Sequence, residues 1–165
     1  CRFPTLERAT DVDVAIVGGG LTGLWTAYHL MQRDRSLRVA VLERETVGHG
    51  ASGRNGGWAS AMLPISLESI EARHGRAAAQ RMQQAMFDNV DELVAFADRA
   101  GIGDACHLGG TITLARSRPQ VDRLRHHVDS MTAYGFGAEL EWLDADEARR
   151  RCSATDVDGG IFTRR

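Results

Sequence analysis

The first third of the chain changes abruptly from a β-branched run, through consecutive glycines, to a helical repeat. The run lies at 12–17, where valine and isoleucine predominate, and it stops at the glycines of 18–20. β-Branched residues favour a buried strand, and glycines favour a tight turn. Leu24, Ala27 and Met31 then recur at spacings of three and four, the period of a helix with one apolar face. The pattern predicts a strand, a glycine turn and a helix in immediate succession.

A second apolar run follows this helix. The helical pattern fades by residue 36, and the sequence RVAVLE at 38–43 predicts another buried strand. Its inward side chains are predicted to be Val39, Val41 and Leu42. A strand–helix–strand connection of this length places the two strands parallel, through a right-handed crossover. The predicted fold class is therefore α/β, built on a Rossmann-like βαβ unit over residues 12–43.

Three glycines of the turn, Gly18, Gly20 and Gly23, form the GxGxxG pattern that is typical of dinucleotide-binding turns. The pattern alone is weak in a chain with 18 glycines among 165 residues. Here, however, it follows a predicted strand and opens a predicted helix, and an acidic residue, Glu43, comes 20 residues after Gly23. In such a unit the first glycine permits the sharp turn, the second lets the backbone approach a pyrophosphate, and the third lets the helix lie close to the strand.

The predicted ligand of this turn is an adenine dinucleotide. The N–H groups of Leu21 and Thr22 are expected to face its phosphates, at the positive end of the helix dipole. Glu43, at the end of the second strand, is expected to accept hydrogen bonds from ribose hydroxyls. The alternative for these residues is a strand-to-helix turn that binds no ligand.

The segment after the second strand distinguishes a flavin from a nicotinamide. A nicotinamide Rossmann domain normally continues into another helix and a third strand, whereas this chain enters GHGASGRNGG at 48–57. Such a loop, predicted to be ordered, offers a row of backbone donors together with the side chains of Ser52, Arg54 and Asn55. Two alternatives stay open, in which Arg54 is a solvated surface residue and Ser52 and Asn55 are turn formers that bond their own backbone. The loop favours a flavin nucleotide.

Three segments of the chain carry a family resemblance. DVAIVGGGLTGLWTAYHL, VAVLER and VGHGASGRNGGW resemble the amino-terminal portion of the FAD-dependent D-amino-acid oxidase or glycine oxidase superfamily, particularly its amine-oxidising, γ-glutamylputrescine oxidase-like members. A weaker likeness continues through GGTITLARS to DGGIF, so it spans nearly the whole chain. The resemblance implies an FAD-dependent oxidoreductase of the amine or amino-acid oxidase type, which oxidises a C–N bond by hydride transfer to flavin.

The resemblance also implies roles for individual residues. It places FAD contacts at the three glycines of the GxGxxG pattern, the adenosine ribose at Glu43, and the adenine or phosphates near Arg44. Five loop residues would contact the pyrophosphate, ribityl chain or flavin edge: Ala51, Ser52, Arg54, Asn55 and Gly56. Some relatives attach flavin through a histidine of this loop, but His49 precedes the corresponding position, so non-covalent FAD is expected. The resemblance leaves the catalytic residues unassigned.

The remainder of the chain is predicted to be helical and then mixed. Two helices are expected after residue 60, the longer over 76–100 with Gly101 as its C-terminal cap. Its apolar stripe comprises Met82, Met86, Val90, Leu93, Val94 and Ala97. Strands are expected at 111–115, at 140–143 and, just beginning, at 159–165. A helix is expected to open at Pro119 and end before Gly135, and Asp144 with Glu147 resembles a capping box ahead of a short helix. The predicted division is 1–60 for the FAD-binding unit and loop, 61–110 for a helical segment and 111–165 for a partial substrate or cap region.

Composition excludes several classes of function. A pI of about 6.3 and the absence of any long basic block argue against a nucleic-acid partner. No apolar run approaches the roughly 18 residues of a membrane span, so a soluble, cytoplasmic protein is expected. All 20 basic residues are arginine, which excludes lysine-dependent phosphate loops and Schiff bases. Cys1, Cys106 and Cys152 contain no CxxC pair and are expected to be reduced, and no metal site is expected.

Two parallel strands and one helix do not complete a doubly wound sheet, which needs further central strands to cover both faces. The sequence therefore predicts an exposed sheet edge, an incomplete protein, and no activity for these residues alone. The expected partners of the intact enzyme are an amine or amino-acid substrate and dioxygen or another electron acceptor. Two alternatives are an NAD-dependent dehydrogenase and a non-catalytic fragment that keeps a nucleotide-binding turn.

Overall fold

The structure, a computed structural model, describes residues 3–165. The chain divides into two compact units, Cys1–Trp58 and Ala59–Arg165. The predicted assignment of 61–110 and 111–165 to a helical segment and a substrate region stays a prediction. Cys106 and Cys152 are free thiols, and Cys1 lies outside the described residues.

The first unit contains the predicted strand, helix and strand. Strand β1 spans Val14–Val17, helix α1 spans Leu21–Arg33 and strand β2 spans Val39–Leu42. The two strands pair in parallel, with Val14 opposite Val39 and Val17 opposite Leu42. The predicted βαβ unit is thus confirmed.

The burial predicted for these strands is wrong. The side chains of Val39 and Val41 are only partly buried, Leu42 is 38% exposed, and Val17 is 87% exposed. From residue 3 onward this unit has a sheet of two strands and one α-helix, so much of the sheet surface is left uncovered within the unit. The sequence pattern indicated apolar strands correctly, but other elements are needed to bury them.

An ion pair fixes the register of the two strands where they begin. The Asp13 N–H donates to the Arg38 carbonyl oxygen at 2.9 Å, and the Arg38 N–H donates to Asp13 Oδ2 at 2.8 Å. The Arg38 guanidinium also contacts both oxygens of the Asp13 carboxylate, at 3.0 and 3.2 Å. These bonds lower the pKa of Asp13, chiefly through the side-chain contact with Arg38.

The second unit opens with two helices, as predicted. Helix α2 spans Leu67–His74 and helix α3 spans Arg76–Arg99. Gly101 adopts a φ of +69°, and the N–H of the following residue, Ile102, donates to the Ala97 carbonyl oxygen at 2.9 Å. This is the Schellman arrangement that glycine favours, and it confirms the predicted cap of α3.

The apolar stripe predicted for α3 is partly wrong. Its buried residues are Ala79, Gln83, Phe87, Val90 and Ala97, whereas Met82 is 48% exposed. Gln83 takes the buried position because its side-chain amide donates to the Ala61 carbonyl oxygen at 3.0 Å. A count of apolar residues does not detect a buried glutamine that has a backbone partner, so the predicted stripe includes Met82 and omits Gln83.

The rest of this unit is an antiparallel sheet with two helices. Strands β3 (Thr111–Ala115), β4 (Leu140–Leu143) and β5 (Gly159–Thr163) are ordered β3–β5–β4, and helices α4 (Arg118–Ala133) and α5 (Ala145–Arg151) follow β3 and β4. The segment predicted as a strand just beginning is therefore the central strand. Asp144 caps α5 by accepting the Glu147 N–H at 2.8 Å, while the Glu147 carboxylate pairs with Arg150 and Arg151 instead of completing a capping box.

Within residues 3–165, no helix is both long enough and apolar enough to cross a membrane. In the same part of the chain, histidine, cysteine and acidic side chains do not gather in groups of three or more suited to a metal ion. The cytoplasmic location stays a prediction.

Candidate cofactor site

The turn between β1 and α1 depends on two of its glycines. Gly18 has a φ of +106°, a conformation that costs other residues steric strain, and its N–H donates to the Leu42 carbonyl oxygen at 2.8 Å. A Cβ on Gly23 would lie 2.1 Å from the Gly18 carbonyl oxygen. The helix can therefore approach the strand this closely only with glycine at position 23.

The start of α1 offers backbone donors. Leu24 is the first residue whose N–H joins the helical ladder, donating to the Gly20 carbonyl oxygen at 3.0 Å. The N–H groups of Thr22 and Gly23 precede it and stand outside that ladder, as the first N–H groups of any helix do. An anion at this end is favoured by about 0.3 to 1 kcal/mol through the helix dipole alone.

Glu43 lies directly beside the turn. One carboxylate oxygen, Oε2, accepts the Gly19 N–H at 2.8 Å, and the other, Oε1, accepts the Glu45 N–H at 3.0 Å. These backbone bonds, that of Glu45 first, lower the pKa of Glu43, so the carboxylate is ionised at neutral pH. The two carboxylate oxygens offer about four lone-pair positions, so acceptor capacity remains for other donors.

Gly19 is a site residue that the sequence reasoning missed. A Cβ on it would lie 3.2 Å from the Cβ of Glu43 and 3.3 Å from Oε2 of the same residue. Gly19 also accepts, at its carbonyl oxygen, the N–H of Gly48 at 2.9 Å. Its position inside a run of three glycines was the available signal, because the GxGxxG pattern itself leaves the middle residue free.

The glycine-rich loop returns to the same turn. Besides the Gly48 bond, the Ser52 hydroxyl oxygen accepts the Leu21 N–H at 2.9 Å, across 31 residues of sequence. The loop folds tightly through a 3₁₀ turn at Ala51–Gly53, and a Cβ on Gly53 would lie 2.2 Å from the Gly48 carbonyl oxygen. The structure therefore brings the loop and the start of α1 together.

Other predicted loop residues do not reach the turn. The Asn55 side chain bonds its own loop, donating to the Ser52 carbonyl oxygen at 2.6 Å and accepting the Gly57 N–H at 2.8 Å. Arg54 donates to the Gly50 carbonyl oxygen at 3.2 Å and is exposed. The Arg44 side chain is 89% exposed and pairs with the neighbouring Glu45 carboxylate. Ala51 and Gly56 are also exposed.

The backbone surface of turn and loop suits a diphosphate-linked nucleotide. A Cβ placed on Gly18, Gly50, Gly56 or Gly57 would meet no atom within 4 Å beyond its chain neighbours in the described part of the protein, so a ligand can approach the backbone there. Helix N–H groups suit the phosphates, and an ionised carboxylate at the end of β2 suits sugar hydroxyls. The donors and acceptors present fit an adenine dinucleotide such as FAD.

The family of FAD dependent oxidoreductases, abbreviated DAO, matches residues 13–165. The chain belongs to this family. FAD is therefore the cofactor, as predicted, and the alternative of a nicotinamide-dependent dehydrogenase is not supported. The resemblance described from the sequence is confirmed, while the roles of individual site residues stay predictions.

Three similar proteins illustrate the relationship. γ-Glutamylputrescine oxidoreductase of Escherichia coli K12 is 32% identical over 97% of this chain and 37% of its own length. L-2-hydroxyglutarate dehydrogenase of the same organism is 32% identical over 91% of this chain and 32% of its own. The crystal structure of glycine oxidase from Geobacillus kaustophilus superposes with a TM-score of 0.66 at 30% identity, covering 93% of this chain and 39% of that one. The predicted α/β fold class is confirmed, and the chain spans 32–39% of the length of these relatives.

Proposed function

We propose that the protein oxidises the C–N bond of an amine or amino acid, with non-covalently bound FAD held by the turn and loop of the first unit. When bound, FAD supplies the acceptor for the hydride and its two electrons. The substrate carbon loses this hydride, the nitrogen loses a proton, and the resulting imine is hydrolysed by water to a carbonyl compound and an amine or ammonia. Dioxygen, as terminal acceptor, takes the two electrons with two protons to form hydrogen peroxide.

One arrangement supports the cofactor role most directly: Glu43, the glycine turn and the loop at 48–57 are joined by hydrogen bonds within one unit. In this proposal the N–H groups at the start of α1 bind the pyrophosphate. The ionised Glu43 carboxylate accepts hydrogen bonds from the adenosine ribose. The loop shields the pyrophosphate from water, which strengthens those hydrogen bonds.

The substrate class is supported by two relatives. Their names state γ-glutamylputrescine and glycine, which share an aliphatic C–N bond whose carbon carries hydrogen. The test is anaerobic mixing of the purified, intact protein with these two compounds while the visible flavin absorbance is followed. Bleaching by either compound, followed by recovery and peroxide formation on admission of air, is expected. A flavin that no amine or amino acid bleaches would contradict the proposal.

A second candidate is oxidation of a 2-hydroxy acid. L-2-hydroxyglutarate dehydrogenase shares 32% identity with the aligned part of this chain, the same value as γ-glutamylputrescine oxidoreductase. Both reactions remove a hydride from a carbon next to a heteroatom. Bleaching by L-2-hydroxyglutarate and not by amines would select this candidate.

Release of the yellow colour into the supernatant after acid denaturation would support non-covalent attachment, and retention on the protein would refute it.

A further inference from the structure

The Ser52 hydroxyl accepts a hydrogen bond from a backbone N–H group at the start of α1, within the candidate cofactor site. Its oxygen accepts the N–H of Leu21, the first residue of α1, at 2.9 Å. This contact and the bond from Gly48 to Gly19 are the hydrogen bonds that bring the loop to the turn. A side chain of the protein itself therefore holds the loop at the start of the helix.

Gly20 faces the same hydroxyl. A Cβ at this position would lie 2.9 Å from Ser52 Oγ and 3.8 Å from Ser52 Cβ, and beyond its two chain neighbours no other heavy atom of the described residues lies within 4 Å. A methyl group at position 20 therefore conflicts with one side chain only. The usual reason for this glycine, close approach of the backbone to a pyrophosphate, is a separate requirement that applies only when the cofactor is bound.

We propose that Ser52 is a positioning residue, which holds the loop at 48–57 against the start of α1 in the FAD-free protein, and that Gly20 is required there to leave room for its hydroxyl. Ser52 thereby orders the loop before the cofactor arrives, and the ordering cost on binding is reduced. This inference rests on the proposed FAD site, but it concerns the state without FAD and is independent of the substrate.

The proposal predicts a coupling between positions 20 and 52. In the FAD-free protein, Gly20→Ala should disturb the Leu21 hydrogen bond only while Ser52 retains its hydroxyl. In the double variant Gly20→Ala/Ser52→Ala, the added methyl has no hydroxyl to meet. With FAD, Gly20→Ala should weaken binding in both backgrounds, because the pyrophosphate still needs a bare backbone.

The experiment measures hydrogen exchange of the Leu21 amide in the FAD-free, intact protein, together with the FAD dissociation constant from quenching of flavin fluorescence. Ser52→Ala should speed Leu21 exchange and weaken FAD binding, each about fivefold, the effect of one ordinary hydrogen bond. Ser52→Thr, which retains a hydroxyl, should restore both values to within about twofold of wild type. Ser36→Ala, which removes a hydroxyl beyond the other end of α1, is the matched control and should change neither.

Two results would overturn the proposal. The first is unchanged Leu21 exchange in FAD-free Ser52→Ala, since a residue that only contacts FAD affects the loaded protein alone. The second is an equal effect of Gly20→Ala on FAD-free exchange in the wild-type and Ser52→Ala backgrounds. Neither measurement uses a substrate, so a failure of the proposed amine oxidation is seen separately, in the bleaching experiment.

Discussion

Replacement of Gly23 by alanine tests the geometry on which the cofactor site depends. The new Cβ would lie 2.1 Å from the Gly18 carbonyl oxygen, and two further atoms, Gly18 C and Ile16 Cγ2, lie at 3.3 Å. Carbon and oxygen need a little over 3 Å, so the start of α1 must move by about 1 Å from β1. The obstacle is backbone, which cannot rotate away as a flexible side chain can.

This displacement has two consequences for Gly23→Ala. Forcing a methyl group into a packed contact costs about 1 to 3 kcal/mol. It also shifts the helix N–H groups relative to the phosphates, and loss of one hydrogen bond to a charged group, about 1.5 to 3 kcal/mol, corresponds to about a 10- to 150-fold loss of FAD affinity. The assay is titration of FAD into the FAD-free, intact protein, followed by quenching of flavin fluorescence.

Met31→Ala is the control for this experiment, on the same helix but away from the site. Met31 lies in the last turn of α1 and is 51% exposed. The control should bind FAD within about twofold of wild type, since truncation of an exposed side chain meets no steric obstacle. Wild-type affinity in Gly23→Ala, or an equal loss in both variants, would refute the reasoning from the close helix–strand contact.

Three further predictions concern stability. Phe87 is 2% exposed, and Phe87→Ala should lower the free energy of unfolding by about 3 to 5 kcal/mol. Met82 is 48% exposed, and Met82→Ala should lower it by less than about 1 kcal/mol. Thermal melting checks both, and equal losses would contradict the observed buried face of α3. The bonds that lower the pKa of Glu43 stabilise the folded state above the ordinary pKa of 4.5, and this stability is lost as the pH falls through the lowered pKa of the folded state. FAD-free Glu43→Gln should therefore lose less melting temperature than wild type in this acid range. An unchanged acid profile would refute the assignment. Asp13→Asn and Arg38→Gln should each lower the melting temperature, and the double variant should lose less than the sum of the two; strict additivity would show that the ion pair contributes nothing.

Much of the fold could be predicted because its signals are local. β3 has the predicted bounds of 111–115. α4 contains Pro119 in its first turn and ends before Gly135, whose φ of +94° suits a glycine cap. Periodicity, proline at a helix start and glycine beyond a helix end each act over one or two turns. A single sequence is sufficient to recognise them.

Burial could not be predicted in the same way, because it depends on elements that are distant in sequence. Val17 and Leu42 are residue types typical of a buried strand, yet they are exposed because the described sheet of the first unit has two strands. Gln83 is a residue type usually found at the surface, yet it is buried because the carbonyl oxygen of Ala61, 22 residues away, accepts a hydrogen bond from its side chain. An apolar pattern states which residues can be buried, and the neighbouring elements determine which ones are.

The candidate site combines both kinds of information. The spacing from Gly23 to Glu43 predicted an acid beside the turn, and the acid is there, but nothing in the spacing indicated that its carboxylate would accept the Gly19 N–H, across 24 residues. That bond changes what Glu43 can be expected to do. It stabilises the FAD-free turn, and the acceptor positions that remain on the same carboxylate are available to ribose hydroxyls. One residue can therefore serve the state without cofactor and the state with it, so a loss of FAD affinity in Glu43→Gln must be compared with the stability of the FAD-free protein before it is assigned to the ribose contact.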